Sequence, residues 1–206
     1  KYKPNFIIEI GSNDGAFLKN FNKKIAVGVE PCKNLAKMTI KQKYKTFSEY
    51  WDLNLAKKIT KYKKADIVYS ANTLSHIKKL DEIFKAINYS LSRNGILILE
   101  DPSLLSCIKN VAYDQFYCEH IYVFSTIALN NVLKKFDLEI FDIQNTNTHG
   151  GSNRYFIKKK INNLYKIKGS VRAEIKKELK FGLHKFSTYK KFSLKVKNSK
   201  IKLLNI

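Results

Sequence analysis

The segment NFIIEIGSNDG, residues 5–15, joins a short apolar run to a turn that contains two glycines. We call residues 9–15 the glycine turn. A helix is predicted over 16–22, and a second apolar run, IAVGVEP, follows at 25–31. Strand, helix and strand in this order are typical of a parallel sheet with crossover helices. Such sheets bind ligands outside the carboxyl ends of their strands, which is where the glycine turn is predicted to lie.

The same alternation of apolar runs and helical patterns continues to residue 102. Five strands separated by helices predict a mostly parallel sheet that is covered on both faces and has right-handed crossovers. The other predicted helices are 34–43, 54–63 and 80–91, and the other predicted strands are 44–47, 65–72 and 95–102, the last of which follows an Asn94-Gly95 turn.

The pattern changes after residue 102. Residues 103–112 are predicted to be helical, and 125–136 form a helix opened by a Ser or Thr cap. Two strands, 138–144 and 152–160, flank a turn with two glycines and predict a hairpin. A parallel sheet that ends in an antiparallel hairpin resembles the seven-stranded Rossmann-like α/β fold of class I S-adenosylmethionine-dependent methyltransferases. A plain dinucleotide-binding fold does not need the hairpin.

The glycine turn carries the signals of a nucleoside-binding loop. Gly11 and Gly15 allow a ligand to approach the backbone, and Asn13, where a dinucleotide fingerprint has glycine, tolerates positive φ. The turn does not end in the GK[ST] motif of a P-loop, which argues against a phosphate-binding loop of that kind. Glu30 ends the second strand 19 residues after Gly11 and is placed to bind both ribose hydroxyls.

These signals predict S-adenosylmethionine, with S-adenosylhomocysteine as product, as the cofactor. NAD is the alternative, and the hairpin and the missing third glycine count against it. A tight turn without a ligand and a solvated carboxylate would explain the same residues structurally. The predicted cofactor-binding residues are Gly11, Asn13, Asp14, Gly15, Glu30 and Asn72, the last of which follows the fourth strand and is otherwise a turn residue.

Composition limits the other classes of protein. A chain of 206 residues with 44% hydrophobic residues predicts one domain with an appendage. The absence of an apolar run of about 18 residues and of a signal-peptide pattern predicts a soluble, cytoplasmic protein without a membrane partner. Three widely spaced cysteines, Cys32, Cys107 and Cys118, predict free thiols, with neither a disulfide framework nor a zinc site.

The net charge of +22 raises the possibility of a nucleic-acid partner. Residues 158–206 hold 16 Lys or Arg and two acidic residues, and they predict a Lys-rich helical extension with a strand over 200–204. Only three of the 39 basic residues are Arg, the side chain that phosphate and base-edge readers favour. Codon bias toward A and T explains this composition without a nucleic-acid partner. Because the composition changes at residue 158, we expect a methyltransferase domain at 1–157 and the extension at 158–206.

Proton-handling side chains gather in three further segments. YDQFYCEHIYVFS, residues 113–125 and called the histidine segment here, follows the fifth strand closely; NTLSHI spans 72–77 and HGGSNR spans 149–154. The candidate residues are Tyr117, Glu119 and His120 for catalysis, and His76, His149 and Arg154 for substrate binding. The structural alternatives are a hydrogen-bonding histidine at 76 and an aromatic packing segment at 113–125.

The motifs EIGSNDG, GVEP, NTLSHI, ILEDPSLL, FYCEHIYVFS and THGGSNRYF, in this order, are similar to the central domain of the sugar C-methyltransferases that act on nucleotide-linked 4-keto-deoxysugars. The resemblance covers about residues 5–157. It implies that His120 removes a proton from the sugar carbon, that Tyr117 and Glu119 assist, and that His76 lies at the sugar.

The chain departs from this family at several points. Cys118 stands where the family usually has His, and Asn153 stands where it has an aliphatic residue. The family usually carries a Cys-rich zinc domain before the cofactor domain and an α/β domain after it. This chain starts at the first predicted strand and stops after the basic helices, so we expect a truncated piece or a shortened protein with a different acceptor.

The chemistry of this site can also be argued from the residues. Methylation at carbon requires an enolate, and therefore a base that takes a C–H proton and a donor that stabilises the oxyanion. His120 has a suitable basicity, Glu119 could orient it, and Tyr117 could donate to the enolate oxygen, so no metal is needed. The alternatives are an RNA methyltransferase that uses the basic extension and a cofactor-binding domain without turnover.

Overall fold

The computed structural model describes residues 3–205 and contains a seven-stranded sheet flanked by helices. The strands are β1 (Ile7–Ile10), β2 (Ala26–Val29), β3 (Lys45–Phe47), β4 (Ala65–Ala71), β5 (Leu91–Pro102), β6 (Leu138–Thr146) and β7 (Ser152–Lys159). The helices are α1 (Lys33–Lys41), α2 (Leu53–Ile59), α3 (Leu80–Ser90), α4 (Leu104–Asn110), α5 (Thr126–Lys134), α6 (Gly169–Phe181) and α7 (Phe186–Leu204).

The strand order is β3-β2-β1-β4-β5-β7-β6. The first five strands pair in parallel, and β7 lies antiparallel between β5 and β6. The chain reverses direction across the sheet between β1 and β4, which brings the turns after these two strands together. The predicted fold class, a mostly parallel sheet with a C-terminal antiparallel hairpin, is confirmed.

The main core lies on one face of the sheet, under α2, α3, α5 and α6. Alternate strand residues such as Val68 and Leu97 are fully buried there against Phe84 of α3. Because side chains alternate along a strand, the other face presents a second, smaller cluster that includes Ile67, Ile96 and Phe156. The central strands are therefore apolar on both faces, which is why they read as continuous apolar runs.

The predicted helix over 16–22 is replaced by a short 3-10 helix, Leu18–Asn20. The Asn20 side-chain amide donates to the carbonyl oxygens of Ala16 (3.2 Å) and Phe17 (3.0 Å), which competes with helical hydrogen bonding at this point. The segment then places Phe17 against Tyr69 of β4, with ring centroids 3.8 Å apart. Packing on the sheet thus takes precedence over local helix formation.

The fifth strand begins at Leu91, before the predicted Asn94-Gly95 turn. Leu91 pairs with Ala65, and an irregularity in the ladder precedes the pairing of Ile96 with Ile67. A Cβ at Gly95 would lie 2.5 Å from the Ala65 carbonyl oxygen. The glycine therefore permits close approach of two strands where a turn was expected.

The Lys-rich extension is helical, and the predicted strand over 200–204 is wrong because these residues continue α7. Lys and Leu are good helix formers, so the helix propagates through this stretch. Glu178 of α6 is fully buried and accepts hydrogen bonds from the backbone N–H groups of Thr126 (2.6 Å) and Ile127 (3.0 Å). The extension thereby caps α5. The division at residues 157 and 158 stays a prediction.

Two further features bear on the sequence predictions. Within residues 3–205, no helix combines the length and hydropathy that crossing a membrane would require. Cys32, Cys107 and Cys118 are free thiols, as predicted.

Candidate active site

The glycine turn lies at the carboxyl end of β1 and adopts backbone conformations that glycine favours. Gly11 and Gly15 have φ of +73° and +82°, and Asn13 has φ of +47°. A Cβ on Gly11 would lie 2.2 Å from Oγ1 of Thr73, in the turn that follows β4. Gly11 thus allows the turns after β1 and β4 to touch.

Glu30 links the glycine turn to the end of β2. Its buried carboxylate accepts hydrogen bonds from the backbone N–H groups of Asn13 and Cys32, both at 2.9 Å. Each carboxylate oxygen has further lone pairs, so the group can still accept ribose hydroxyls. The predicted spacing from Gly11 to Glu30 therefore corresponds to a physical contact between the two turns.

Asn72 and Asp14 flank the same turn. Asn72 has φ of +50°, its N–H donates to the Glu100 carbonyl oxygen at 2.8 Å, and its buried Oδ1 has no hydrogen-bond partner. Asp14 is half-exposed and accepts from the Ala16 N–H at 3.1 Å. Asn72 thus brings an unpaired acceptor to the crevice, whereas Asp14 contributes a solvated charge.

Glu9, in the middle of an apolar strand, was not among the predicted site residues. It is 6% exposed, and its Oε2 has no hydrogen-bond partner. Burial, together with the neighbouring charges of Asp14 and Glu30, raises the pKa of Glu9 to about 8. The signal in the sequence was a single carboxylate at a strand position between isoleucines. The charges of Asp14 and Glu30 around this turn favour a cationic ligand.

His120 is held in one tautomer by its neighbours. Its Nδ1 lies 2.8 Å from the Gln115 carbonyl oxygen, and its Nε2 lies 3.0 Å from the Tyr117 hydroxyl. A carbonyl oxygen only accepts, so Nδ1 carries a proton; in the neutral imidazole Nε2 then has the lone pair, and the Tyr117 hydroxyl donates to it. The basic nitrogen of His120 therefore faces Tyr117.

His76 lies beside His120, although the two residues belong to different segments. Their ring centroids are 4.9 Å apart in an edge-to-face arrangement. Burial lowers the pKa of His76, the proximity of His120 lowers it further, and Glu119 partly opposes the effect. The Ser75 carbonyl oxygen accepts from the N–H groups of Ile121 (2.9 Å) and Tyr122 (3.1 Å), which ties the two segments together.

The other predicted site residues occupy different positions. Glu119 is exposed, and the Gln115 carbonyl makes the contact to His120 Nδ1 that had been expected of Glu119. His149 is exposed in the hairpin turn, with φ of +51°. Arg154 Nε pairs with the buried Glu100 at 2.7 Å. The structure therefore brings together Tyr117, His120 and His76, with His149 and Arg154 on the adjoining hairpin.

Among residues 3–205, no group of three or more His, Cys, Asp or Glu side chains is arranged to hold a metal ion.

The fold is that of the S-adenosylmethionine-dependent methyltransferases. Residues 2–143 match the model of the methyltransferase domain family, and residues 147–206 match the model of the C-methyltransferase C-terminal domain. The chain belongs to this methyltransferase family, whose cofactor is S-adenosylmethionine.

Individual relatives agree with this assignment. The C-methyltransferase NovU of Streptomyces niveus is 29% identical over 149 residues, which are 71% of this chain and 36% of that protein. A methyltransferase of Thermotoga maritima, described as a possible histamine N-methyltransferase, has 19% identity and a TM-score of 0.55 over 76% of this chain and 80% of its own. The plantazolicin methyltransferase BpumL, solved with SAH, has 12% identity and a TM-score of 0.57 over 77% of this chain and 78% of its own.

Proposed function

We propose that the protein methylates the carbon next to the ketone of a nucleotide-linked keto-deoxysugar, with His120 as the general base. The observation that carries this proposal is the pair of hydrogen bonds that His120 forms with Gln115 and Tyr117. Its Nδ1 is engaged by the Gln115 carbonyl, and its Nε2 lone pair lies beside the Tyr117 hydroxyl. A neutral imidazole with an oriented lone pair next to a phenol is the pair of groups that enolate formation requires.

The glycine turn has the features expected of the cofactor site. Gly11 lets the turn that carries Thr73 pack against the glycine turn, and the buried oxygens Glu9 Oε2 and Asn72 Oδ1 lack hydrogen-bond partners. We assign the ribose hydroxyls to Glu30 and the cationic part of the cofactor to the carboxyl groups of this turn. When bound, S-adenosylmethionine supplies an electrophilic methyl group on a sulfonium.

The chain's own residues supply the proton chemistry. Without acceptor, the Tyr117 hydroxyl donates to His120 Nε2. We assign to an acceptor ketone the role of taking over this hydrogen bond, which frees the Nε2 lone pair to remove the adjacent C–H proton. His76, whose pKa is lowered by burial and by His120, lines the same side as a neutral hydrogen-bonding group.

The choice of a nucleotide-linked sugar depends on the order and combination of the sequence motifs. A relative named as a C-methyltransferase supports transfer to carbon. This chain spans 36% of that relative, so the acceptor is a proposal. Arg154 and His149 are assigned to acceptor binding, because Arg154 pairs with Glu100 through Nε and the guanidinium has further N–H donors for a phosphate.

The test of the proposed acceptor is incubation with S-adenosylmethionine and a panel of nucleotide-linked 4-keto-sugars. We expect one acceptor to gain one methyl group by mass, with formation of S-adenosylhomocysteine. Methylation of RNA or of a protein, without reaction of any keto-sugar, would overturn the proposal.

The role of His120 is tested by deuterium exchange at the acceptor carbon in heavy water without cofactor. Loss of the base in His120→Ala is expected to slow exchange roughly 10²- to 10⁴-fold while affinity for S-adenosylhomocysteine stays unchanged. His184→Ala, which removes an exposed histidine after α6, is the matched control. Exchange at the wild-type rate in His120→Ala would assign the base to another group.

One observation favours an RNA acceptor instead. Helix α7 exposes six lysines, and cationic side chains attract phosphate. This alternative predicts RNA binding that weakens steeply with salt and that is lost when the lysines of α7 are replaced by Gln. A domain that binds cofactor without turnover predicts no deuterium exchange with any acceptor.

A further inference from the structure

Asp101 lies at the carboxyl end of β5, next to the residues that carry the proposed reaction but outside the set discussed so far. Its cross-strand neighbour in β7 is Asn153, and its side chain is 1% exposed. Burial and the neighbouring charge of Glu100 raise the pKa of Asp101 to about 7, although the side chain and backbone N–H of Ser75 partly oppose the shift. The Asn72 N–H donates to the Glu100 carbonyl oxygen at 2.8 Å, which places the turn that carries Ser75 beside Asp101.

The hydrogen bonding of Asp101 is incomplete. Although Ser75 is near enough to influence its charge, neither Asp101 oxygen forms a hydrogen bond of normal geometry, and the Ser75 hydroxyl also has no partner. A buried polar group without a partner costs roughly 1–3 kcal/mol. Most buried polar groups in folded proteins are satisfied, so this pair calls for an explanation.

Ser75 is the residue at which the two histidine-bearing segments meet. It directly precedes His76, and its carbonyl oxygen accepts from the N–H groups of Ile121 and Tyr122, which directly follow His120. The His76 and His120 rings are in edge-to-face contact at 4.9 Å. A displacement of Ser75 would therefore move both imidazoles, and Asp101 is the buried group against which Ser75 lies.

We propose that Asp101 is a positioning residue: its buried carboxyl packs against Ser75, and this contact fixes His76 and His120 relative to each other. The inference rests on the proposed function, because it concerns the alignment of the base with the acceptor. Asp101 does not touch the acceptor. It sets the geometry in which the lone pair of His120 meets the C–H bond.

The proposal is tested with Asp101→Ala and Asp101→Asn in the intact protein, by deuterium exchange and by the imidazole proton signals in NMR spectra. Misplacement of a catalytic group by about 1 Å costs on the order of 10²-fold in rate, and we expect a loss of that size in Asp101→Ala. Asp101→Asn keeps one acceptor oxygen and should retain part of the rate. The KM for the acceptor should change little, because Asp101 does not bind it.

The NMR signals separate a local from a global effect and require no acceptor. In both variants, the His76 and His120 signals are expected to shift, whereas those of the exposed His149 and His184 stay in place. Glu178→Gln, which weakens the buried cap of α5, is the matched control and should lower stability without moving the His76 or His120 signals.

The outcomes are distinguishable. Unchanged exchange and unchanged His76 and His120 signals in Asp101→Asn would overturn the role of Asp101, as would equal shifts of all four histidines. If Asp101→Ala does not fold, Asp101→Asn alone decides. If wild-type protein exchanges no keto-sugar, the proposed function fails, and the NMR comparison still tests the positioning of the two histidines.

Discussion

The glycine turn and the histidine segment lie at the same end of the sheet but are held in place in different ways. The glycine turn is fixed by its backbone: positive φ at Gly11, Asn13 and Gly15, and two amide hydrogen bonds to buried Glu30. The histidine segment has little regular structure, and its key contacts are between side chains or from a side chain to a carbonyl.

This difference agrees with the two roles proposed for these regions. A cofactor site needs a surface of fixed shape, which strand ends and glycines provide. A proton-transfer site needs groups that can exchange hydrogen bonds when the acceptor arrives, and the half-exposed Tyr117 beside His120 meets that need. We therefore expect substitutions in the glycine turn to act on stability and cofactor binding, and substitutions in the histidine segment to act on exchange.

The largest effect is expected from Gly11→Ala. A Cβ at this position would lie 2.2 Å from Thr73 Oγ1, and φ of +73° is strained for alanine. Strain and overpacking together are expected to lower the free energy of unfolding by about 2–5 kcal/mol, as measured by urea unfolding.

Gly150→Ala is the matched control for Gly11→Ala. Gly150 has a similar φ of +75°, but a Cβ there would meet nothing within 4 Å. It should therefore show the cost of backbone strain without the clash. Equal destabilisation by both substitutions would mean that the contact between the turns after β1 and β4 does not fix the glycine turn.

A smaller effect is expected from the ionisation of Glu9 without cofactor. Its pKa is about 8 in the folded protein against 4.5 as the ordinary value. The folded state thus binds more protons between these values, and this group's contribution to stability falls as pH rises from about 4.5 to about 8 and is constant above. Wild type should lose on the order of 2–4 kcal/mol of its free energy of unfolding through this ionisation, and Glu9→Gln should not.

The measurement for Glu9 is urea unfolding of wild type and Glu9→Gln at intervals between pH 5 and 8. The stability of Glu9→Gln relative to wild type should increase with pH, and other buried acids such as Asp101 cancel in this difference. Glu49→Gln, at a surface carboxyl paired with Lys58, controls for the loss of one negative charge. Parallel stability curves for wild type and Glu9→Gln would contradict a raised pKa of Glu9 in the folded protein.

The sequence was sufficient for features that depend on local pattern. Apolar runs located the strands, and the glycines and the spacing to Glu30 located the turn, because strand ends and positive φ leave compositional signals. It was not sufficient where neighbours distant in sequence decide. The packing of Phe17 on Tyr69, the hydrogen bond from His120 to the Gln115 carbonyl and the burial of Glu9 and Asp101 all depend on tertiary contacts.

The smallest of the three effects is expected from Glu30→Gln, and it tests whether the two regions are separable. A Gln side chain can accept one of the amide hydrogen bonds from Asn13 and Cys32, but its NH₂ group faces the other donor. Glu30 is also assigned to the ribose hydroxyls, and loss of a hydrogen bond to a charged group costs about 1.5–3 kcal/mol. Affinity for S-adenosylhomocysteine should therefore fall roughly 10- to 100-fold by calorimetry.

Deuterium exchange at the acceptor carbon needs no cofactor and should proceed at the wild-type rate in Glu30→Gln. This is the reverse of the result expected for His120→Ala, which keeps cofactor affinity and loses exchange. Because the glycine turn and the turn carrying His76 touch through Gly11 and Thr73, a loss of exchange in Glu30→Gln would mean that the shape of the cofactor site also sets the position of the histidines.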